Sequence, residues 1–132
     1  IGVVLLGMLA TFLSATFWDF TIPSLPIARL TANLFFTSIP EEGLYRGLIQ
    51  GKLCEYLKNI KFGGTISIVF TSVIYTFIHL YGEASLTVGL FLFLSSILFG
   101  FLYYISNRIE SSIICHFFIV IMHSIFFRDH PI

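Results

Sequence analysis

Ionisable side chains capable of acid–base chemistry lie inside otherwise apolar stretches of this sequence. They are two adjacent glutamates, an arginine and three histidines: Glu41, Glu42, Arg46, His79, His116 and His123. One such group inside a membrane-spanning helix costs roughly 2.5 kcal/mol or more, so each is a candidate for function. A single histidine on an apolar face is usually a packed core residue, whereas three in runs otherwise free of charge favour a site.

The two glutamates differ in the partner that their spacing offers. Glu42 precedes Arg46 by four residues, which is the favourable order for an ion pair along a helix. Glu41 projects about 100° away from Glu42 on the same turn and is left without that partner. A free carboxylate beside a paired one is typical of a general base. Glutamate and histidine together could activate water, and two histidines with one glutamate could also hold Zn²⁺, so the residue types leave metal use open.

A structural explanation of Glu41 competes with the catalytic one. The run Ser38-Ile-Pro40-Glu41 matches a capping box, with Ser38 as the N-cap and Glu41 at the third helical position. In that case both glutamates are ordinary acids of a first helical turn. This alternative does not explain the three histidines in the apolar runs.

The overall composition excludes an ordinary soluble domain. Of the 132 residues, 57% are hydrophobic and 11% are charged, whereas soluble proteins carry about 25% charged residues. Seven Lys and Arg balance seven Asp and Glu, so no basic surface for nucleic acid is predicted. We therefore expect an integral membrane protein whose surface contacts lipid.

Runs without charged residues indicate how the chain crosses the membrane. A helix needs about 20 mostly apolar residues to span a bilayer, and backbone hydrogen bonds must be satisfied within it. The sequence predicts an all-α transmembrane bundle of about five helices. The segments are expected at 1–18, 28–57, 65–80, 85–105 and 111–127, with an exit loop at 19–26. One domain over residues 1–132, a fragment or core of a longer chain, contains all of them.

The relative depth of the histidines depends on where their helices start. If the segments 65–80 and 111–127 start level, His79 lies about 21 Å along its helix and His116 about 9 Å along its own. His123 is then nearly level with His79. We nevertheless predict that Glu41, His79 and His116 converge around one water-sized site. That convergence requires the last helix to begin deep in the bundle, the earlier helix to be shifted, or a less regular fold.

Three spaced motifs carry a resemblance to a known family. The run Glu41-Glu42-Gly43-Leu44-Tyr45-Arg46 matches the pattern EExxxR. The next predicted helix contains Tyr75-Thr-Phe-Ile-His79, and a later one contains His116. In this order, over about residues 34–123, the set resembles the CAAX protease and bacteriocin-processing family of intramembrane endopeptidases, which includes the Rce1-type prenyl-protein proteases.

The resemblance implies a role for each matched residue. Glu41 would be the catalytic glutamate and would activate water together with His79. His116 would help to stabilise the oxyanion, and Glu42 with Arg46 would hold the site together. The resemblance favours a mechanism without zinc or another cofactor.

Two positions depart from the usual pattern of that family. Tyr75 stands where phenylalanine is usual and adds a hydroxyl group. Val120 stands where asparagine is common, four residues after His116, so an amide donor to the oxyanion is missing. The site is then weaker, recruits another group such as His123, or belongs to a subgroup with a different substrate.

The implied activity is that of a glutamate-type endopeptidase that cleaves a membrane-associated peptide or lipidated protein. We expect a multi-pass protein of a prokaryotic cell membrane, in which Glu42, Arg46 and Gln50 line a water-filled cavity. Two other functions stay open. One is a catalytically inactive immunity or scaffold protein of the same fold, which Val120 favours. The other is a fragment of a proton-coupled transporter, which has less support because the sequence lacks a repeat.

Overall fold

The computed structural model describes residues 27–81 and 85–126, and every regular element in that part of the chain is helical. The four helices are α1 over residues 27–56, α2 over Gly63–His79, α3 over Leu86–Ser106 and α4 over Ile109–Phe126. Their bounds lie within two residues of the corresponding predicted segments, which confirms the all-α prediction for the described residues. The predicted helix 1–18 and the predicted loop 19–26 lie outside the described residues.

Helix α1 alternates between two patterns of backbone hydrogen bonding. Its α-helical segments are Ile27–Ala32, Ile39–Glu42 and Gly51–Tyr56, and its π-helical segments are Asn33–Ser38 and Gly43–Gln50. The sequence pattern predicted a regular helix here and held no signal for the wider turns. Because π-helical turns are rare and frequent at functional sites, their position on both sides of the two glutamates directs attention to this helix.

The N-cap predicted at Ser38 is absent. Ser38 has helical backbone angles, φ −63° and ψ −44°, and its hydroxyl makes no capping hydrogen bond. The capping-box alternative is therefore wrong, because residues 27–37 already form helical turns and the helix continues through Ser38. Glu41 and Glu42 lie in the interior of α1, so a helix N-terminus does not explain them.

A capping hydrogen bond and a left-handed residue determine the two ends of α3. At its start the Ser85 hydroxyl accepts a hydrogen bond of 3.5 Å from the Val88 N–H, which is a serine N-cap. At its end Asn107 has φ 52°, the left-handed conformation that asparagine adopts more readily than most residues. Only residues 107–108 separate α3 from α4, so the two helices run antiparallel side by side.

Glycines allow α2 and α3 to approach each other closely. A Cβ atom on Gly64 would collide with the Tyr104 ring, and one on Gly89 would lie 2.9 Å from Leu80 Cδ1. Small residues at such crossings let helices pack without a large side chain between them. The two contacts lie at opposite ends of the pair, so α2 and α3 are antiparallel.

Helix α4 begins inside the bundle rather than level with the end of α3. The Ser112 hydroxyl donates a hydrogen bond of 2.9 Å to the Phe99 carbonyl oxygen. Ser112 lies three residues after the start of α4 and Phe99 seven residues before the end of α3. At 1.5 Å per residue, α4 therefore starts about 6 Å deeper. The deep start of α4 therefore covers about half of the roughly 12 Å difference in depth predicted between His79 and His116, and the side chains of both histidines reach Glu41.

Many apolar side chains lie on the surface and a charged pair lies in the interior, which is the opposite of the distribution in a soluble protein. The side chains of Phe36, Phe77 and Leu86 are 74–83% exposed, whereas the charged pair Glu42 and Arg46 is completely buried. Within the described residues one helix is long and apolar enough to cross a membrane, namely α3, with 21 residues and a mean hydropathy of 2.1. Helices α2 and α4 contain shorter apolar stretches.

Candidate active site

A buried ion pair forms the base of the candidate active site. Arg46 Nε donates a hydrogen bond of 3.0 Å to Glu42 Oε2, and both side chains are 0% exposed. This is the ion pair predicted from their spacing. Arg46 Nη2 also donates to the Ser96 hydroxyl at 2.8 Å. The guanidinium carbon lies 5.8 Å from the ring centroid of Tyr75 and 5.9 Å from that of Phe99, so one cation contacts both α2 and α3.

The second carboxylate oxygen of Glu42 positions His116. His116 Nδ1 lies 3.0 Å from Glu42 Oε1, and because an ionised carboxylate only accepts, Nδ1 carries the proton and donates it. The imidazole also stacks on the Phe99 ring, with centroids 4.8 Å apart and planes 13° from parallel. These two contacts leave His116 Nε2 facing Glu41, whose Oε2 is 4.0 Å away.

His79 is oriented by its own helix. Its Nδ1 lies 2.8 Å from the Tyr75 carbonyl oxygen, which can only accept, so Nδ1–H is the donor. The imidazole stacks on the Tyr75 ring, with centroids 4.1 Å apart and planes 23° from parallel. The remaining nitrogen, Nε2, lies 3.3 Å from Glu41 Oε2.

Glu41 is the residue on which the two histidines converge. Its Oε2 atom lies between the Nε2 atoms of His79 and His116, at 3.3 Å and 4.0 Å, without an aligned hydrogen bond to another described residue. The side chains of Glu41 and His79 are 25% and 27% exposed, whereas that of His116 is 5% exposed. A partly accessible carboxylate beside two imidazoles can take a proton from water and pass it on.

The two remaining supporting residues lie at different depths. Tyr75 is 4% exposed, and its ring packs against the rings of Tyr45 and His79, with centroids 5.0 Å and 4.1 Å away. Tyr75 is therefore a buried member of this group of rings and supports His79. His123 lies seven residues beyond His116, about 10 Å farther along α4, with its ring centroid 6.4 Å from that of Phe91.

The prediction that Glu42, Arg46 and Gln50 line a water-filled cavity is wrong. All three side chains are 0% exposed. Gln50 Nε2 donates a hydrogen bond of 2.9 Å to the Gly100 carbonyl oxygen of α3, just as Arg46 bonds to α3. Because polar groups inside a bundle need partners, this stripe is used to join α1 to α3 rather than to hold solvent.

A cavity of about 360 Å³ lies elsewhere, against His116 and Tyr75. Glu41 and His79 are not part of its wall. A group bound in this cavity would contact His116, whose Nε2 atom lies 4.0 Å from Glu41 Oε2. Most of the wall is apolar, and its further members include Phe91, Leu92, Ser95, Phe99, Ile119 and Val120, with Arg29, Asn33, His123 and Ser124 among the polar ones.

Among the described residues, no group of three or more histidine, cysteine, aspartate and glutamate side chains is arranged to hold a metal ion. Glu42 and His116 face each other through Oε1 and Nδ1, so these two atoms are already engaged. The remaining nitrogen atoms converge on a single carboxylate oxygen of Glu41.

A comparison with protein families decides what kind of protein this is. A family model described as type II CAAX prenyl endopeptidase, Rce1-like, matches residues 23–122, which include every motif used above except His123. The chain belongs to this Rce1-like family. The family consists of membrane-embedded proteases, so the predicted family is confirmed. No curated protein and no solved structure matches the chain significantly.

Sequence reasoning missed several residues that build the site of this Rce1-like protein. Ser96 holds Arg46, Phe99 carries the His116 ring, and Tyr45 packs on Tyr75. The Ser95-Ser96 pair did provide a signal, since it interrupts the most apolar run of the chain. Phe99 provided none, because one phenylalanine among sixteen cannot be distinguished before the helices are packed.

Proposed function

We propose that this Rce1-like protein is an intramembrane endopeptidase of the glutamate type, in which Glu41 and His79 activate water. The observation that carries the proposal is the position of Glu41 Oε2, 3.3 Å from His79 Nε2 and 4.0 Å from His116 Nε2. Membership of a protease family supports peptide hydrolysis in general. The side chains of Glu41 and His79 are 25% and 27% exposed, which supports access of water to this part of the site.

Hydrolysis consists of proton transfers that begin and end at Glu41. Glu41 takes one proton from water while the water oxygen bonds to the substrate carbonyl carbon and the carbonyl oxygen becomes an oxyanion. His79 donates its Nδ1–H to Tyr75, so its Nε2 is available to accept a hydrogen bond from the same water. The proton on Glu41 then passes to the amide nitrogen as the C–N bond breaks, which releases an acid and an amine.

His116 stabilises the oxyanion in this mechanism. In its imidazolium form it donates Nδ1–H to Glu42 and Nε2–H to the oxyanion, and such preorganised donors act strongly in a dry site. Glu42 is a positioning residue, because it binds His116 through one oxygen and Arg46 through the other. The buried ion pair therefore fixes the direction of a catalytic nitrogen.

The proposal includes the membrane setting. Five crossings, formed by segment 1–18 and the helices α1 to α4, would make one domain over residues 1–132 in a prokaryotic cell membrane. The apolar exterior and the apolar length of α3 support this arrangement. The partners are lipid and a peptide or lipidated protein substrate, not nucleic acid, and the mechanism uses neither zinc nor another cofactor.

A Glu41→Gln variant tests the proposal. Membranes containing the full-length protein are incubated with an internally quenched farnesylated peptide that ends in a CAAX sequence. We expect the rate of cleavage to fall about 10²–10⁴-fold, since a general base is removed. Glu55→Gln is the matched control, because Glu55 is 67% exposed and pairs with Lys52 at the surface. Cleavage by Glu41→Gln at the control rate would refute the glutamate mechanism.

An inactive immunity or scaffold member of the family is the second candidate. The observation that favours it is Val120, which presents an apolar side chain to the cavity where a donor is expected. This candidate predicts a biological phenotype that survives Glu41→Gln unchanged. The two candidates are separated by measuring cleavage and phenotype in the same strain, at equal amounts of protein in the membrane.

A further inference from the structure

The rings of α3 and α4 show which residues of the two antiparallel helices face each other. Phe99 stacks on His116, with centroids 4.8 Å apart. Eight residues earlier on α3, Phe91 lies 6.4 Å from His123, which is seven residues later on α4. The two pairs bracket about two turns of each helix, and these segments face each other beside the cavity.

Ser95 occupies the middle of the bracketed segment of α3. Residues midway between His116 and His123 on α4 are Ile119 and Val120, so Ser95 lies across from this apolar pair. The three residues line the same cavity as His116. The turn of α4 that follows His116 therefore carries no side-chain donor, whereas the facing turn of α3 carries the Ser95 hydroxyl, whose oxygen is buried beside the cavity.

The Ser95 hydroxyl is buried and unused. Ser95 is 3% exposed, and its Oγ makes no hydrogen bond to any described residue. Its neighbour Ser96 is also buried, but Ser96 Oγ accepts a hydrogen bond from Arg46. A buried hydroxyl without a partner costs stability, so Ser96 has a structural explanation and Ser95 does not.

We propose that Ser95 is a catalytic residue that donates its hydroxyl proton to the substrate oxyanion beside His116. The oxyanion then receives Nε2–H of His116 from α4 and Oγ–H of Ser95 from α3. Ser95 supplies the donor that Val120, on the facing turn, does not have. This inference rests on the proposed peptidase function and assigns the scissile carbonyl oxygen to the end of the cavity between these side chains.

The test measures kcat and KM separately for Ser95→Ala, with the farnesylated peptide described above. Removing one oxyanion donor lowers kcat about 10²–10³-fold, and we expect KM to stay within about twofold because the donor acts mainly in the transition state. A phosphonate analogue of the peptide, which mimics the oxyanion, should lose affinity by the same factor as kcat. Ser95→Cys keeps the side-chain size with a weaker donor and should give an intermediate kcat.

Controls distinguish this role from a structural one. Ser67→Ala removes another buried hydroxyl, which bonds to the Gly63 carbonyl oxygen outside the cavity, and should leave kcat unchanged. Ser95→Ala should not lower the thermal midpoint, because no hydrogen bond is lost. The double variant Ser95→Ala/Val120→Asn returns a donor from α4 and should recover at least tenfold in kcat.

The outcomes for Ser95 and for the proposed function are separable. A wild-type kcat in Ser95→Ala, together with loss of cleavage in Glu41→Gln, would overturn the role of Ser95 and leave the peptidase intact. Equal loss of kcat and of thermal stability in Ser95→Ala, without recovery in the double variant, would also overturn it. Retained cleavage in Glu41→Gln would instead reject the proposed function itself.

Discussion

Replacing Glu42 by glutamine tests the buried ion pair on which the geometry of the site depends. Glu42 accepts a hydrogen bond from Arg46 through Oε2 and one from His116 through Oε1, each at 3.0 Å. Glutamine keeps the size of the side chain but removes the negative charge. Arg46, which is 0% exposed, is then left without a counter-ion.

The expected magnitude follows from burial. Removing one partner of a buried pair costs about 3–5 kcal/mol, mainly because the other charge stays buried and unpaired. The exposed pair of the same chain is the contrast: Lys52 Nζ lies 3.1 Å from Glu55 Oε2, with side chains 74% and 67% exposed. Such a surface pair contributes about 0.2–1 kcal/mol. The same Glu→Gln change should therefore differ several-fold in its cost at positions 42 and 55.

The assay is reversible unfolding of the purified protein in mixed micelles by a titration with dodecyl sulfate, followed by far-ultraviolet circular dichroism. Wild type, Glu42→Gln and Glu55→Gln are compared at the same micelle composition. A third variant, Glu42→Leu/Arg46→Met, removes both charges. It should be more stable than Glu42→Gln, because no unpaired charge remains.

Two results would refute the reasoning. If Glu42→Gln proves as stable as Glu55→Gln, the ion pair does not hold α1 in place. A double variant no more stable than Glu42→Gln would mean that the cost comes from lost packing and not from the isolated arginine. Cleavage should fall in both Glu42 variants, since His116 loses the carboxylate that orients its ring.

Three further predictions follow from the packing and the site. Gly100→Ala places a Cβ 2.7 Å from Gln50 Oε1 and should lower stability by about 1–3 kcal/mol, whereas Gly43→Ala, with no atom within 4 Å of its Cβ, should not. Phe99→Ala removes the ring under His116 and should cost about 3–5 kcal/mol in the same unfolding assay together with a fall in kcat. Cleavage should persist after dialysis against EDTA and 1,10-phenanthroline, with less than one equivalent of zinc by mass spectrometry; loss of cleavage that zinc restores would contradict the metal-free mechanism.

Helices α2, α3 and α4 were predictable because each of them lies in a long run with few charges. The ion pair of Glu42 and Arg46 was predictable as well, since a spacing of four residues brings two side chains together in a helix. The contact between Glu42 and His116 was not, because these residues are 74 positions apart. No local pattern contains the packing of α4 against α1.

Two predictions failed because tertiary context overrode local sequence. The capping box at Ser38 needs a chain that enters the helix at that residue, but the helix already extends back to Ile27. Gln50 belongs to a polar stripe that resembled a cavity lining, yet it bonds to Gly100 across a dry helix interface. Polarity predicts that a residue needs a partner, not whether the partner is water or protein.

The sequence by itself determined the class of the protein, its helical segments and the identity of Glu41, His79 and His116 as candidates, because residue type and helical periodicity are local properties. The tertiary structure decided how deep α4 begins, and hence that His116 rather than His123 meets Glu41. It also decided that Ser95 faces the apolar turn containing Val120. Both depend on the axial displacement of packed helices, which is set by glycine contacts and interhelical hydrogen bonds between residues far apart in the chain.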